Sequence, residues 1–118
     1  MTNKLWQCPI KVERGSYQQM PAHWLGAIAN FYVGAPSHEE AVTKAVQVLR
    51  HMGMVFIDLV DGQVFQLDPD RWWDGHVMTA FPEYYSFFPS QQEIYGIVSE
   101  GHVFHGPFAG WDHESVGA

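Results

Sequence analysis

The clearest pattern of hydrophobic and polar positions lies between residues 27 and 67, where it predicts a strand, a helix and two further strands. β-Branched and aromatic residues at 27–33 favour a strand, and the turn-forming Gly34-Ala35-Pro36 ends it before a helix begins. From residue 38 to 52, apolar side chains recur every three or four positions, as they do on the buried face of an amphipathic helix. This helix is therefore expected to cover one face of a sheet.

Both ends of the helix carry sequence signals. Ser37 and Glu40 have the spacing of a capping box, in which each side chain accepts a hydrogen bond from a backbone N–H of the first turn. Gly53 stands where a left-handed residue commonly ends a helix, and His51 in the last turn suits the negative end of the helix dipole. These signals predict a helix over 38–52.

The segment after the helix is expected to form a hairpin. The run from Met54 to Val60 is apolar except at Asp58, which predicts a central strand covered on nearly both faces. Asp61-Gly62 has the composition of a two-residue hairpin turn, so residues 64–67 are expected to return beside that strand. Strand, helix and strand in this order fit either a parallel crossover or an antiparallel neighbour.

Shorter elements are predicted on either side of this unit. Before it, residues 5–8 and 10–13 have the composition of a first strand, which Pro9 between them confines to an edge or a bulge. After it, Asp68-Pro69 places a capping acid before a proline, which is typical of the start of a helix, here reaching about residue 80.

The last third of the chain is expected to hold a loop, a hairpin and a frayed tail. Two prolines and two aromatic pairs in 81–92 indicate a loop anchored by large side chains. Apolar runs at 94–98 and 102–104 flank a Gly-containing turn, which predicts a hairpin. The polar residues after Trp111 are expected to fray.

Together these elements predict one α+β domain over residues 1–118. Its sheet is expected to be small and mainly antiparallel, with five or six strands, the long helix 38–52 on one face and a second short helix at about 70–80. A chain of 118 residues buries about two thirds of the surface that its unfolded form exposes, which suffices without disulfides. Cys8, the only cysteine, is expected to be a small buried hydrophobe.

Net charge narrows the classes of function. The chain has 13 acidic and 6 basic residues, a formal charge of -7, and its basic residues are scattered singly, so we expect no nucleic-acid binding. It has no apolar run as long as a membrane span and no leader pattern, so we expect no membrane association and a cytoplasmic location. An acidic surface favours a basic protein partner, although net negative charge also simply keeps small domains soluble.

The aromatic content is the second unusual property. Aromatic residues make up 15% of the chain and charged residues only 16%, against a usual charged fraction of about 25%. The large apolar area therefore exceeds what one small core is expected to bury, and interfaces use tryptophan and tyrosine heavily. The candidate partner-binding residues are Trp72, Trp73, Tyr84, Tyr85 and Phe88, with Asp70 and Asp74 beside them. Two alternatives remain: one ring of each adjacent pair enters the core, or a homodimer covers the excess.

The sequence contains no nucleophile motif, metal-site spacing or cofactor motif. Two residues, Asp58 and His76, are candidates for the polar group of a pocket. Asp58 lies within an apolar strand, where burial would raise its pKa into the range of a general acid and His51 could pair with it. The alternative for Asp58 is an outward-facing position near the strand end. His76, beside the second helix, is the other polar group that an aromatic pocket would hold. His102 and His105 fall on opposite faces of a presumed strand, which argues against a shared metal ion.

Three hypotheses of different classes follow. The first is a non-enzymatic module that masks a basic partner, as small inhibitors and immunity proteins do, a comparison that rests on size, charge and the lack of a catalytic motif. The second is a small enzyme or ligand-binding domain with an aromatic pocket around Asp58 or His76. The third is a structural subunit whose aromatic surplus is buried in a homo-oligomer.

Overall fold

The structure, a computed structural model, describes residues 2–111 and contains a five-stranded antiparallel sheet with helical segments. The strands are β1 (Lys4–Glu13), β2 (Gly26–Ala35), β3 (Val55–Leu59), β4 (Phe65–Leu67) and β5 (Val103–Trp111). The α-helices are α1 (His38–His51), α2 (Met78–Ala80) and α3 (Gln91–Ser99). Single turns of 3-10 helix lie at Val60–Gly62 and Pro69–Arg71, a longer one at Pro82–Phe87 and a π-helical segment at Trp72–Val77. The α+β class with a mainly antiparallel sheet is confirmed.

β1 and β2 form the centre of the sheet. They pair over ten residues, from Lys4 opposite Ala35 to Glu13 opposite Gly26. β5 pairs with the outer side of β2, while β3 and β4 both pair with the outer side of β1. Because side chains alternate between the two faces of a strand, this arrangement gives the sheet two distinct faces to cover.

The predicted hairpin between residues 54–60 and 64–67 is wrong. β3 pairs with Ile10–Glu13 of β1 and β4 pairs with Leu5–Gln7, so the two segments follow one another along the same edge. Asp61 and Gly62 do have positive φ angles, 56° and 65°, but they form a turn within one interrupted edge strand. The backbone groups along the outer edge of β1 need hydrogen-bond partners. β3 and β4, placed end to end, pair with more of that edge than a hairpin would, because only one strand of a hairpin could pair with β1. β3 is therefore an edge strand rather than a central one.

Pro9 is likewise placed differently from the prediction, since β1 is a central strand. The part of β1 that pairs with β4 ends at Gln7, and the part of β1 that pairs with β3 begins at Ile10. Pro9 thus lies in the gap between them, where β1 has no strand partner on that side among the described residues. A residue without an N–H is tolerated in such a local edge.

The first face of the sheet is covered by α1. Ser37 caps this helix, because its Oγ accepts a hydrogen bond from the Glu40 N–H at 3.3 Å. The predicted capping box is only half formed, since the described chain has no return bond from the Ser37 N–H to the Glu40 carboxylate. Gly53, just beyond its last turn, has φ 99°, as predicted for a left-handed helix end. The apolar side of α1 packs with β1 and β2 in the larger hydrophobic cluster, whose fully buried members include Ala41, Ala45, Leu49, Cys8, Ile10, Val12 and Phe31.

The predicted last hairpin is also wrong, since residues 94–98 belong to α3. Ser90 and Glu93 form the complete capping box: the Glu93 N–H donates to Ser90 Oγ at 3.1 Å, and the Ser90 N–H donates to Glu93 Oε1 at 2.8 Å. Ile94 and Val98, one helical turn apart, are the buried residues of this helix. The cap and this i, i+4 pair outweigh the β-branched composition that suggested a strand.

The second face of the sheet is covered at one end by residues 68–100, called the helical layer below. Its buried side chains join Leu5 and Tyr32 of the sheet in a second cluster, whose other members are Trp72, Val77, Phe88, Ile94 and Val98. The opposite end of this face, around Lys11 and Ile28, stays exposed.

Within residues 2–111, no helix combines the length and apolar character needed to cross a bilayer.

Candidate functional site

The helical layer carries the excess negative charge of residues 2–111. It holds six acidic side chains and one basic one, all exposed: Asp68, Asp70, Asp74, Glu83, Glu93 and Glu100, with Arg71. The remaining described residues, 2–67 and 101–111, hold five acidic and five basic side chains. Leaving the histidines aside, the helical layer is strongly acidic, and the rest of the described chain has no net charge.

Large apolar side chains are exposed on the same layer. They are Met78, Tyr84, Tyr85, Phe87 and Tyr95. Tyr84 and Phe87 lie with their ring centroids 6.1 Å apart, and Tyr85 meets Trp73 edge-on at 6.5 Å. These five exposed side chains, together with Asp70, Asp74 and Glu83, make up what we call the acidic aromatic surface. Exposed aromatic rings beside charges are typical of surfaces that bind other molecules.

Two of the predicted partner-binding residues lie in the core instead. Trp72 is 0% exposed and Phe88 is 7% exposed, whereas their neighbour Phe87 is 66% exposed and Trp73 is half-buried. The Trp72-Trp73 and Phe87-Phe88 pairs thus each place one ring in the core and the other nearer the surface, which is the alternative that the sequence left open, whereas both rings of the Tyr84-Tyr85 pair are exposed. Trp72 and Phe88 are therefore removed from the candidate surface, while Trp73, Tyr84 and Tyr85 remain.

A hydrogen-bond network holds part of this surface in place. Tyr95 Oη donates to Asp70 Oδ1 at 2.8 Å, and Gln91 Nε2 donates to Tyr95 Oη at 3.1 Å. Gln91 Oε1 in turn accepts from the Trp73 N–H at 2.9 Å. The bond to Asp70 is the main reason why the pKa of Tyr95 is raised above its usual value. The carboxylate and the tyrosine ring are thus oriented before any partner arrives, which reduces the entropy lost on binding.

Sequence reasoning missed Gln91 and Tyr95. Their i, i+4 spacing behind the Ser90 cap was the available signal, because residues with that spacing are neighbours on a helix surface. Interpreting 94–98 as a strand hid it. Asp74, by contrast, is exposed as predicted for a surface residue, and its carbonyl oxygen accepts from Thr79 Oγ1 at 2.8 Å.

His76 joins the helical layer to the sheet. His76 and the fully buried Tyr32 share a hydrogen bond between Nε2 and Oη at 2.7 Å, and the imidazole stacks on Trp72 with ring centroids 5.3 Å apart. Burial lowers the pKa of His76 and raises the pKa of Tyr32 well above its usual value. Both effects favour the neutral form of each group, so the contact is a hydrogen bond between a neutral phenol and a neutral imidazole.

Asp58 and His76 do not share a pocket. Asp58 is exposed on the edge strand β3, where its Oδ1 accepts from the Leu59 N–H at 2.8 Å. It lies opposite Lys11 of β1, whereas Tyr32, the partner of His76, lies opposite Gln7. Lys11 and Gln7 are four residues apart on one strand, a separation of about 13 Å. Asp58 thus takes the outward-facing position that the sequence had left as the alternative.

The structure also places the two histidines and the cysteine that bear on metal and nucleophile chemistry. No group of three or more His, Cys, Asp or Glu side chains within residues 2–111 is placed to hold a metal ion. His102 bonds to Glu100 Oε1 at 2.8 Å, while His105 bonds to the Gly106 carbonyl at 2.8 Å. Cys8 is buried beneath α1, and this burial raises its pKa to about 12, which leaves an unreactive thiol.

Lowering the pH below about 6.5 is expected to weaken the His76–Tyr32 contact. Because the folded-state pKa of His76 lies below its ordinary value of 6.5, the unfolded chain binds more protons between the two values, and stability falls as the pH drops through that window. Urea denaturation of the wild type and of His76→Gln at pH 5 to 8 measures this contribution. The stability difference between the two proteins should shrink towards low pH, and a constant difference would contradict the assignment.

In comparisons with known proteins, the sequence matches no family model, no curated protein and no solved structure. The functional inference therefore rests on the distribution of charge and aromatic rings over this fold. The acidic aromatic surface is the feature in which the two unusual properties of the sequence coincide.

Proposed function

We propose that this chain is a non-enzymatic protein-binding module whose acidic aromatic surface covers a basic patch on a partner protein. The observation that supports it most strongly is the segregation of charge: six exposed carboxylates against one arginine on residues 68–100, and five against five on the rest of residues 2–111. A charge excess that served only solubility would need no such segregation. The exposed rings of the surface lie within the acidic layer.

The two components of the surface have different physical roles. The carboxylates attract a basic partner over a distance of about one Debye length, roughly 10 Å at 0.1 M salt, and so raise the association rate. Because the remainder of the described chain is neutral, the field also orients the molecule with its helical layer towards the partner. The rings of Tyr84, Tyr85 and Tyr95, each 44–55% exposed, then supply apolar contact area at low cost in side-chain entropy.

Masking is a mode of action that needs no catalytic group. A partner that uses a basic surface to bind an acidic substrate would be inhibited simply by occlusion of that surface. Small inhibitors and immunity proteins work in this way, and the chain has the size and charge for such a role.

Capture from an extract of the source cells provides the first test. The immobilised chain should retain a basic protein, which mass spectrometry then identifies. With that purified partner, the association rate is expected to fall at least about tenfold between 50 mM and 500 mM salt, because screening removes the long-range attraction. An association rate that does not change with salt would contradict the proposal.

A pair of triple variants separates the acidic surface from net charge. Replacing Asp70, Asp74 and Glu83 by their amides raises the net charge by three within the helical layer. Replacing Glu13, Glu39 and Asp61 by their amides raises it equally on the neutral part. We expect the first variant to associate about tenfold more slowly and the second to change less than about twofold, because steering depends on charge near the contact. Equal losses, measured by biolayer interferometry, would show that only net charge matters.

A further inference from the structure

A small aromatic notch lies at the free edge of β5. β5 is the last strand on its side of the sheet, and the notch forms where the segment before β2 and the end of the 3-10 helix 82–87 approach it. Its volume is about 320 Å³, and its walls include Met20, Trp24, Phe87, His105, Pro107 and Phe108. Apart from Phe87, these residues do not belong to the acidic aromatic surface.

Contacts between distant segments of the chain hold each wall of this notch in place. Phe88 turns inward against Gly106, where an added Cβ would lie only 3.2 Å from the Phe88 ring, and Phe87 is thereby directed outward beside the strand. Met20 is buried in the larger cluster and anchors the segment before β2. The indole of Trp24 lies over Gly110, where a side chain would collide with it.

The composition of the walls restricts the ligand class. None of the residues that line the notch is Asp, Glu, Lys or Arg, and Gln19 and His105 are the polar side chains among them, so the notch offers a charged ligand no carboxylate, ammonium or guanidinium group to replace its hydration. A volume of about 320 Å³ lies at the lower end of the range of about 300–1,000 Å³ for small-molecule sites. These two properties favour a neutral compound of one or two rings.

His105 supplies a polar atom among the aromatic walls. Its Nδ1 lies 2.8 Å from the Gly106 carbonyl oxygen, and since a carbonyl only accepts, Nδ1 carries the hydrogen. In neutral His105 the other nitrogen, Nε2, is then an acceptor, and no hydrogen bond to it is formed within residues 2–111. Contacts of the ring with Phe108 and Phe31, at centroid distances of 4.7 and 5.7 Å, fix its plane.

We infer that this notch is a binding site for a neutral, planar aromatic compound with a single hydrogen-bond donor, of the phenol or indole class. The ligand ring packs against the walls formed by Trp24, Phe87 and Phe108, and its O–H or N–H donates to Nε2 of His105. This site shares Phe87 with the acidic aromatic surface, but its ligand does not require the proposed protein partner, so it can be tested on the isolated chain.

Titration of the ¹⁵N-labelled protein with phenol and with toluene tests the inference directly, because the two probes have nearly the same shape and only phenol has a donor. Saturable shifts are expected at the Trp24 indole N–H and at the amides of residues 105–108. Phenol should bind about fivefold more tightly than toluene, the ratio that one net hydrogen bond provides. Equal affinities, shifts that do not saturate, or shifts confined to other residues would overturn the inference.

Two variants and a control assign the binding to named side chains. His105→Phe keeps a ring but removes the acceptor, so the ratio of phenol to toluene affinity should fall to about one. Phe87→Ser changes a side chain that is 66% exposed, so it should not prevent folding, and it should weaken both probes at least about threefold. Tyr85→Ser, an exposed ring on the same 3-10 helix but outside the notch, should change neither. Unchanged binding by Phe87→Ser, or equal weakening by Tyr85→Ser, would overturn the assignment.

Discussion

Replacing Trp72 by alanine is expected to lower the free energy of unfolding by about 3–5 kcal/mol. The indole is 0% exposed and packs against Tyr32, Phe88 and Phe104 with centroid distances of 5.2, 5.8 and 5.7 Å. Its Nε1–H also donates to the Pro89 carbonyl at 2.8 Å. The substitution removes both the contact area and this bond, and it leaves a cavity between the sheet and the helical layer.

Urea denaturation measures this loss, and Trp73→Ala is the matched control. Trp73 is the same residue type one position along, but it is only half-buried, and no hydrogen bond of its indole is formed within residues 2–111. Its replacement should cost less than half as much as the replacement of Trp72. Equal costs would show that burial does not distinguish the two rings and that Trp72 does not anchor the helical layer.

Replacing Gly34 by alanine is expected to destabilise the fold by about 2–3 kcal/mol, although alanine is normally the safer residue in regular structure. A Cβ on Gly34 would lie 2.5 Å from the Val98 carbonyl oxygen and 2.9 Å from Val98 Cα. Both atoms belong to the backbone of α3, so no side chain can move aside. Either α3 shifts away from β2 or the strand is displaced, and both changes disturb the second cluster.

Gly96 provides the opposite result with the same substitution. It lies within α3 and an added Cβ there would meet nothing within 4 Å. Gly96→Ala should therefore raise the free energy of unfolding by about 0.5–1 kcal/mol, because alanine restricts the unfolded chain and favours the helix. Thermal denaturation of the two variants gives opposite signs if α3 packs on Gly34 as described. A shift in the same direction for both would contradict this packing.

These two experiments also bear on function, because Trp72 and Gly34 attach the helical layer to the sheet. The acidic aromatic surface is only as well ordered as this attachment, since its network runs from Asp70 through Tyr95 and Gln91 to Trp73. A partner that needs the preorganised surface would bind more weakly to either variant, even where the central sheet remains folded.

Elements with local signals were predicted well. The Ser37 cap, the left-handed Gly53 and the strand before them depend on residues within a few positions of one another, and the structure contains all three. The helical segment predicted from Asp68-Pro69 also exists, with Asp68 Oδ1 accepting from the Asp70 N–H at 3.0 Å. The sequence did not indicate that its central residues, 72–77, would adopt a π-helical geometry.

Elements that depend on distant partners were not predicted. β3 and β4 could pair with each other or with β1. The outcome depends on the free edge of β1, which lies about fifty residues away in the sequence. The interpretation of 94–98 as a strand failed for a different reason, since it gave composition more weight than the Ser90–Glu93 cap. That error concealed Tyr95, and with it part of the candidate site.

The candidate site was predicted in part, through its exposed members Asp70, Asp74, Tyr84 and Tyr85. The aromatic notch was not predicted at all. Its walls come from three separate segments, around residues 20–24, 87 and 105–108. No spacing along the chain relates them.

The sequence by itself determined the local helix signals, the excess of aromatic rings and the concentration of acidic residues between 68 and 100, because composition and short-range spacing are properties of the chain. Tertiary structure decided which ring of the Trp72-Trp73 and Phe87-Phe88 pairs is buried, which strands form the edges and which residues meet at the notch. These outcomes depend on contacts between distant segments, and for such contacts the free energy gained on packing overrides the preference of any single residue.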